Sequence, residues 1–327
     1  MIALIPAEIR EGPTALREQF QKAQPFPHLV VDHFLQPDFC QQLLKEFPGF
    51  DEKLAMNEFG EVGRKAVQEK LPRIGPAYRR LDDLLRSPEF LTFLSDMTGI
   101  PELLYDPAYI GGGTHENLEG QDLDVHVDFN MHPKTHLHRR LNLILFLNPE
   151  WQVDWGGCLQ LHRDPWGPVE EDEIVTIVPL LNRMAVFETS EVSWHGFRRI
   201  HLPAEKRALS RRSIAVYFYT RERPDEQVAP SHATIYAPRQ LPEQIRAGHT
   251  LTSEDEQAIR DLLARRDTQI RFLYEREKEF SEAMEETRCA LRSPSYKLSR
   301  LMTWPLRKIK RSIKARTSPP AESPSGV

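Results

Sequence analysis

Cysteine is scarce in this chain: Cys40, Cys158 and Cys289 are the only three in 327 residues. An odd number so widely spaced makes neither a disulfide framework nor a thiolate metal site, and it suits a reducing compartment. Long apolar runs are missing too. No stretch of 18 or more apolar residues exists, so nothing in the sequence has the length of a bilayer-crossing helix. The opening segment, MIALIPAEIREG, has an apolar stretch shorter than a secretory leader needs and meets acids at once. The expected location is therefore the cytoplasm. Internal repeats are absent. What is there is ordinary for a globular protein, 40% hydrophobic and 28% charged, and long enough for one large domain with appendages or for two.

Positive charge is scarce where a nucleic-acid-binding face would need it. The net charge is −5, yet the segment after Leu291 carries nine Lys and Arg against one acid, Glu322. That tail is +8, which leaves −13 for the rest of the chain. An acidic body with a basic tail speaks against a nucleic-acid partner.

The hydrophobic pattern divides the chain. His28–Leu35 reads as a strand, and Pro37 opens an amphipathic helix through Phe47. Residues 50–71 are polar and weakly patterned, a loop with some helix. Helices are expected over 76–85 and 88–98. From Leu103 the texture turns to short β-branched and aromatic runs separated by Gly, Pro, Asn and Asp. They cover 104–110, 122–128, 139–148, 158–162, 173–178, 183–187, 193–197 and 211–220. So many short strands predict a mainly β sandwich or barrel, with the preceding helices packed on one face.

Ser253 and Glu256 form a capping-box pair that starts a long charged helix to about Leu291. Positions 259, 263, 266, 270, 273, 277, 280, 284, 287 and 291 fall in alternating four- and three-residue steps. They carry Ile, Leu, Arg, Ile, Leu, Glu, Phe, Met, Thr and Leu. The polar positions interrupt the seam and leave two readings open: a homodimeric coiled coil, or a solvated helix docked on its own domain. Residues 292–316 interleave basic side chains with Leu298, Trp304, Leu306 and Ile309. That pattern leaves open a peripheral contact with an anionic membrane, or a tail that stays solvated or docks on the acidic body. Thr317–Val327 is Pro/Ser-rich and expected to be disordered.

The chemistry starts at DVHVDFN. His126 and Asp128 are two apart, and on a strand such residues share a face. An imidazole and a carboxylate side by side can take adjacent positions on one metal. Two histidines and one carboxylate would leave three positions open, as non-heme iron(II) oxygenases need.

Beyond that pair lie RRLNLILFLNPEW (139–151), GGCLQL (156–161), NRMAVFETSEVSWHGF (182–197) and RRSIAVYFYT (211–220), behind a PFPHLVVDHFL opening at 25–35. In this order and spacing the chain resembles the prolyl 4-hydroxylase-like branch of the 2-oxoglutarate/Fe(II) oxygenases, from residue 25 to about 223. The resemblance implies a double-stranded β-helix, or jelly-roll, with iron held by His126, Asp128 and His195. It implies that 2-oxoglutarate is anchored by Arg211 with Ser213, from an Arg-x-Ser pattern. Arg212 and Arg207 stay as competitors, and strand alternation favours Arg211. Arg140, Asn142, Ile144 and Phe146 share a strand face that by the same resemblance borders the co-substrate, and Leu159 lines the pocket beside them. For Asn142 a simple core contact competes with a bond to 2-oxoglutarate. Some relatives carry tyrosine where Phe146 stands. The loop after His195, RRIHLPAEKRA, is expected near the substrate mouth.

The implied activity is hydroxylation of an unactivated C–H bond, coupled to decarboxylation of 2-oxoglutarate to succinate by dioxygen, with ascorbate as reductant. Asp128 argues against halogenation, because related halogenases lack that carboxylate. The substrate is a small molecule or a peptide: a prolyl residue, an amino acid, or a glycan or lipid component. SPSYKLSRLMTWPLRKIKR (293–311) is similar to endings on bacterial enzymes of surface-polysaccharide synthesis. The competing functions are a non-enzymatic binding protein on the same scaffold and a cupin-type hydrolase or isomerase.

The expected organisation is an extension at 1–24 and an oxygenase domain at 25–225, with its jelly-roll core about 103–222. A connecting segment at 226–250, the charged helix at 251–292 and the basic tail at 293–327 follow.

Overall fold

A computed structural model describes residues 2–49, 66–68, 70–239, 241–242 and 244–292. The chain divides into two compact units, 1–240 and 241–327. The larger opens with a short helix α1 (Ala7–Arg10), α2 (Pro13–Lys22), strand β1 (His28–Val31) and α3 (Pro37–Lys45). Strand β2 (Ala66–Gln68) and helices α4 (Pro76–Leu85) and α5 (Pro88–Thr98) follow. Helices α2 to α5 each begin on a proline, whose missing N–H costs nothing at a helix start. Ser87 caps α5 by accepting a bond from the Phe90 N–H, and Gly99 ends it in the left-handed region.

Ten more strands complete this unit: β3 (Leu104–Tyr105), β4 (Gly113–Asn117), β5 (Leu123–Val127), β6 (His138–Phe146) and β7 (Leu159–His162). Then come β8 (Ile174–Ile177), β9 (Arg183–Glu188), β10 (Trp194–Phe197), β11 (Arg211–Thr220) and β12 (Ile235–Tyr236). One sheet runs β1-β9-β6-β11-β4-β2, with β3 also on β11; the other runs β12-β5-β10-β7-β8. The strand pairs within both sheets are antiparallel. This is the jelly-roll the sequence leads one to expect.

Alternation on β6 and β11 builds two cores from one sheet. Leu141, Leu143 and Leu145 of β6 join Ile214, Val216 and Phe218 of β11 in a core with the helices. The residues between them face the second sheet. There Phe146 and Phe187 pack on Leu159 and Leu161.

Several elements differ from expectation. The strand expected over 28–35 stops at Val31, because His33 takes a positive φ and turns the chain. The strand expected over 104–110 is only Leu104–Tyr105; Tyr109 turns with φ of 52°. Five elements went unforeseen: α1 and α2 inside the supposed extension, and strands β2, β4 and β12. The polar GTHEN of β4 carries no alternation and becomes a strand because β11 and β2 flank it. The loop expected at 50–71 lies largely outside the described residues, although Ala66–Gln68 within it is a strand.

In the second unit α6 spans Ser253–Arg292. Its capping box sits one residue earlier than expected. Thr252 Oγ1 accepts from the Asp255 N–H, and Asp255 accepts from the Thr252 N–H in return.

Asn182 ties the larger unit together. Its φ of 62° is in the left-handed region that asparagine tolerates. Its amide donates to the Leu35 carbonyl (2.7 Å) and accepts from the Leu35 N–H (2.8 Å), while its own N–H donates to Phe146 O. Asn182→Ala removes both buried bonds and keeps the strained backbone, so a loss of about 2–4 kcal/mol is expected in chemical denaturation. Asn182→Gly should recover about 1 kcal/mol of it by relieving the backbone. Wild-type stability in the alanine variant would refute this role.

Candidate metal centre

Strands β5 and β10 run side by side with His126 opposite His195, and the ring centroids are 4.4 Å apart. Asp128, two residues past His126, lies on the same face. His126 Nε2 is 3.7 Å from Asp128 Oδ1, and His195 Nε2 is 3.4 Å from Asp128 Oδ2. One ligand atom from each of the three falls within 4.8 Å of the others.

Each imidazole is oriented by the carbonyl two residues before it. His126 Nδ1 lies 2.7 Å from Asp124 O, and His195 Nδ1 lies 2.9 Å from Ser193 O. A carbonyl only accepts, so Nδ1 carries the proton and each Nε2 offers its lone pair toward the centre. Burial and then repulsion from His126 push His195 down to about 3, so that ring is neutral near pH 7. Burial alone would raise Asp128. The Arg139 guanidinium, then His195 and His126, outweigh it and hold the carboxyl well below its ordinary value.

Asp128 is fixed from behind. Asn142 Nδ2 donates to its Oδ2 at 2.7 Å, and Arg139 Nη2 lies 3.0 Å from the same oxygen. Arg139 is fully buried. Its Nε and Nη2 donate to Asn142 Oδ1, and its plane stacks 3.5 Å from the Tyr217 ring centroid and 4.5 Å from that of Phe129. Arg139 Nη1 has no hydrogen-bond partner among the described residues.

These groups open into a cavity of about 230 Å³ that also reaches Arg211, Ser213, Ile144 and Leu159. Arg211 is buried, and its guanidinium lies over Phe197 (4.4 Å) and Phe146 (5.3 Å). Its Nε donates to Gly157 O, and among the described residues no carboxylate pairs with it. Burial in this apolar place lowers it to about 10, still charged near pH 7. The other arginines are occupied elsewhere. Arg212 points to the opposite face, where its Nε donates to Glu116 and Ser210. Arg207 follows a short turn, Ala204–Lys206, and is exposed.

The glycine pair before β7 lets the chain wrap this arginine. Gly156 and Gly157 both have positive φ. A Cβ on Gly156 would sit 2.0 Å from Arg199 O, and one on Gly157 would sit 3.3 Å from Arg211 Cδ. The loop after His195 therefore covers the Arg211 end. Its Ile200 and Leu202 pack with Trp151 and Trp155. The expectation that it borders the substrate mouth is corrected.

Three further readings change. Asn142 lines the cavity, but its amide is committed to Asp128 and Arg139. Phe146 lies beneath Arg211, off the cavity wall. Arg140 turns to Glu188 at 3.0 Å, and Arg139 takes its place in the site. The cause is an irregularity in the β6–β11 ladder: Phe218 pairs Leu141, but Tyr219 pairs Arg139. One skipped residue inverts the alternation. Sequence reasoning also missed the wall contributed by β4 and β12, His115, Asn117 and Tyr236, because it did not recognise those strands. His132 lies apart, 3.6 Å from Asp106, and His162 is held by Asp172.

The donor set fits a borderline divalent ion such as Fe(II): two imidazoles and one fixed carboxylate, side by side with open space in front. The buried Arg211 suits the far carboxylate of a dicarboxylate entering the same cavity.

His126→Ala, Asp128→Ala or His195→Ala should each abolish tight Mn(II) binding by calorimetry, whereas His132→Ala, His136→Ala and His138→Ala should retain it. Asn142→Ala should weaken it about 10- to 100-fold through loss of the Asp128 support. Full affinity in Asn142→Ala would show that Arg139 alone suffices.

Comparison with known proteins agrees with this geometry. The profile of the 2OG-Fe(II) oxygenase superfamily matches residues 113–219. The mouse protein named prolyl 3-hydroxylase OGFOD1 is 28% identical over 199 residues, 60% of this chain and 33% of its own length. Its Xenopus laevis namesake is 27% identical over 177 residues, 52% of this chain and 31% of its own length. The chain thus spans about a third of these curated relatives. Among solved structures, a Trichoplax adhaerens prolyl hydroxylase with a hypoxia-inducible-factor peptide fragment aligns with TM-score 0.46 and 15% identity, covering 67% of this chain and 96% of that one. HygX of Streptomyces hygroscopicus, with nickel and 2-oxoglutarate bound, aligns with TM-score 0.43 and 13% identity, covering 68% and 97%. The stretch at 113–219 is thus similar to the 2OG-Fe(II) oxygenase superfamily, and the three ligand-type side chains gather inside it.

Proposed function

We propose that this protein is a 2-oxoglutarate- and Fe(II)-dependent hydroxylase whose first-choice substrate is a prolyl residue in a peptide. One observation carries the enzymatic reading: two histidines and a carboxylate open into the same cavity as a buried arginine that no acid pairs among the described residues. A binding protein would have no need to keep both parts.

Iron bound there would supply the oxidation of an unactivated C–H bond, with 2-oxoglutarate and dioxygen consumed and succinate and carbon dioxide released. The chain's own residues do the rest. Arg211 holds the far carboxylate of 2-oxoglutarate through paired charge-assisted hydrogen bonds, with Ser213 beside it and Ile144 and Leu159 as apolar walls. Asn142 and Arg139 keep the Asp128 carboxylate turned toward the centre. Phe129 and Tyr217 flank Arg139 with flat apolar faces that suit a compact aliphatic ring. The names of the curated relatives support a prolyl substrate. A surface-glycan component is the second reading, favoured by the ending at 293–311. Ascorbate is the proposed reductant.

The purified protein with Fe(II) should release succinate in step with oxygen uptake when given prolyl peptides. Arg211→Ala should raise the 2-oxoglutarate requirement roughly 10²–10³-fold, the equivalent of about 3–4 kcal/mol and within what a broken buried pair costs, and leave Mn(II) binding intact. Arg212→Ala should do little. The reverse pattern would move the anchor by one residue. No succinate with any prolyl peptide, but turnover with glycan components accumulated in a deletion strain, would replace the substrate and keep the chemistry.

The proposed location is the cytoplasm, on the inner face of the membrane through residues 292–316, nearly all of which lie outside the described residues. Each Lys or Arg near an anionic surface contributes roughly 1 kcal/mol. Full-length protein should float with anionic liposomes while a chain ending at Leu291 stays behind. If neither floats at low salt, the tail is no anchor.

A further inference from the structure

Helix α6 is 40 residues long, so it extends about 60 Å. Leu263, Ile270, Leu273, Phe280, Met284 and Leu291 along it are all exposed, with Phe280 at 68%. They lie on the seam of alternating four- and three-residue steps, the pattern by which two helices pack side by side. Ile259, at the start of the seam, is half-buried within the chain. A seam of this length left in water is a large apolar surface without a partner among the described residues.

The seam is symmetric about its own middle. Counting outward from the point between Arg271 and Phe272, Ile270 mirrors Leu273, Arg266 mirrors Glu277, Leu263 mirrors Phe280 and Ile259 mirrors Met284. Every apolar residue in this stretch mirrors an apolar residue, and the one basic position mirrors the one acidic position. We propose that α6 pairs with α6 of a second copy of this chain as an antiparallel coiled coil centred between Arg271 and Phe272.

Charge decides the orientation. In an antiparallel pair each seam residue meets its mirror, so Arg266 of one copy meets Glu277 of the other, twice. In a parallel in-register pair each residue meets itself, which stacks Arg266 on Arg266 and Glu277 on Glu277. Two like-charge layers in the seam disfavour that arrangement. The flanking positions raise no objection to the antiparallel one, since Asp267 comes opposite Tyr274 and Gln269 opposite Arg276. The same pairing accounts for Arg266 and Glu277, two of the three polar seam positions that weaken the heptad pattern when a single chain is read alone.

The full-length chain should sediment as a dimer at micromolar concentration. Cys289 is exposed on the outer side of α6, whereas Cys40 and Cys158 are buried, so a nitroxide label goes to a native position. The rise per residue places the two labels about 50 Å apart in the antiparallel pair, against roughly 20–30 Å in a parallel one. Arg266→Glu and Glu277→Arg should each weaken the dimer about tenfold or more, and the double swap should restore it, because only the antiparallel arrangement pairs these positions. Circular dichroism checks that each variant keeps its helix. A monomer with intact helix, as a helix docked on its own domain or on lipid would give, overturns the proposal. So does a short label distance, or a double variant no better than the singles.

Discussion

A carboxylate that must stay charged while largely screened from water, 13% exposed, is the constraint around which the rest of the site is arranged. Asp128 sits between two imidazoles that are themselves buried, and they do less to compensate its charge than a guanidinium does. Arg139 compensates it, at 3.0 Å and fully buried. Asn142 joins the two, accepting from the guanidinium and donating to the carboxylate. The aromatic faces of Tyr217 and Phe129 then give the cation a lining that costs no further hydrogen bonds. Removing either charge would leave the other buried and unpaired, so the clamp and the ligand set stand or fall together.

The opposite end of the cavity is built on the contrary principle. Arg211 has a polar contact to a backbone carbonyl and aromatic faces around it, and its charge is left to be met by something that enters. Arg139 and Arg211 are both buried arginines in one cavity, and among the described residues only the first meets a counter-charge. That asymmetry separates a group that supports the metal ligands from one that awaits an anion. The glycine pair at 156–157 makes the second possible by letting backbone approach where any side chain would collide.

The helical layer and the second sheet both depend on the same strands. Leucines on one face of β6 hold the helices, and Asn142, Ile144 and Phe146 on the other reach toward the site and the second sheet. A rigid sheet packed on helices thus fixes the side chains that face the cavity. Asn182 adds a bracket between the segment entering α3 and the ladder of β6, so the N-terminal helices are locked to the sheet that carries the site.

Local chemistry by itself determined much of this protein. Prolines at helix starts, alternation along β6 and β11, the two-residue spacing of His126 and Asp128, and the Arg-x-Ser order at 211–213 are all properties of neighbouring residues, and each is legible without coordinates. Tertiary structure decided what depends on partners remote in the chain. GTHEN became a strand because two other strands lay beside it. Thr252, not Ser253, caps α6 because the backbone turned one residue earlier. Above all, Arg139 entered the site and Arg140 left it because one irregular pairing with β11 reversed the alternation. A strand's side chains follow its own period only while the ladder stays regular, and whether it does is set by the neighbouring strand rather than by the strand's own residues.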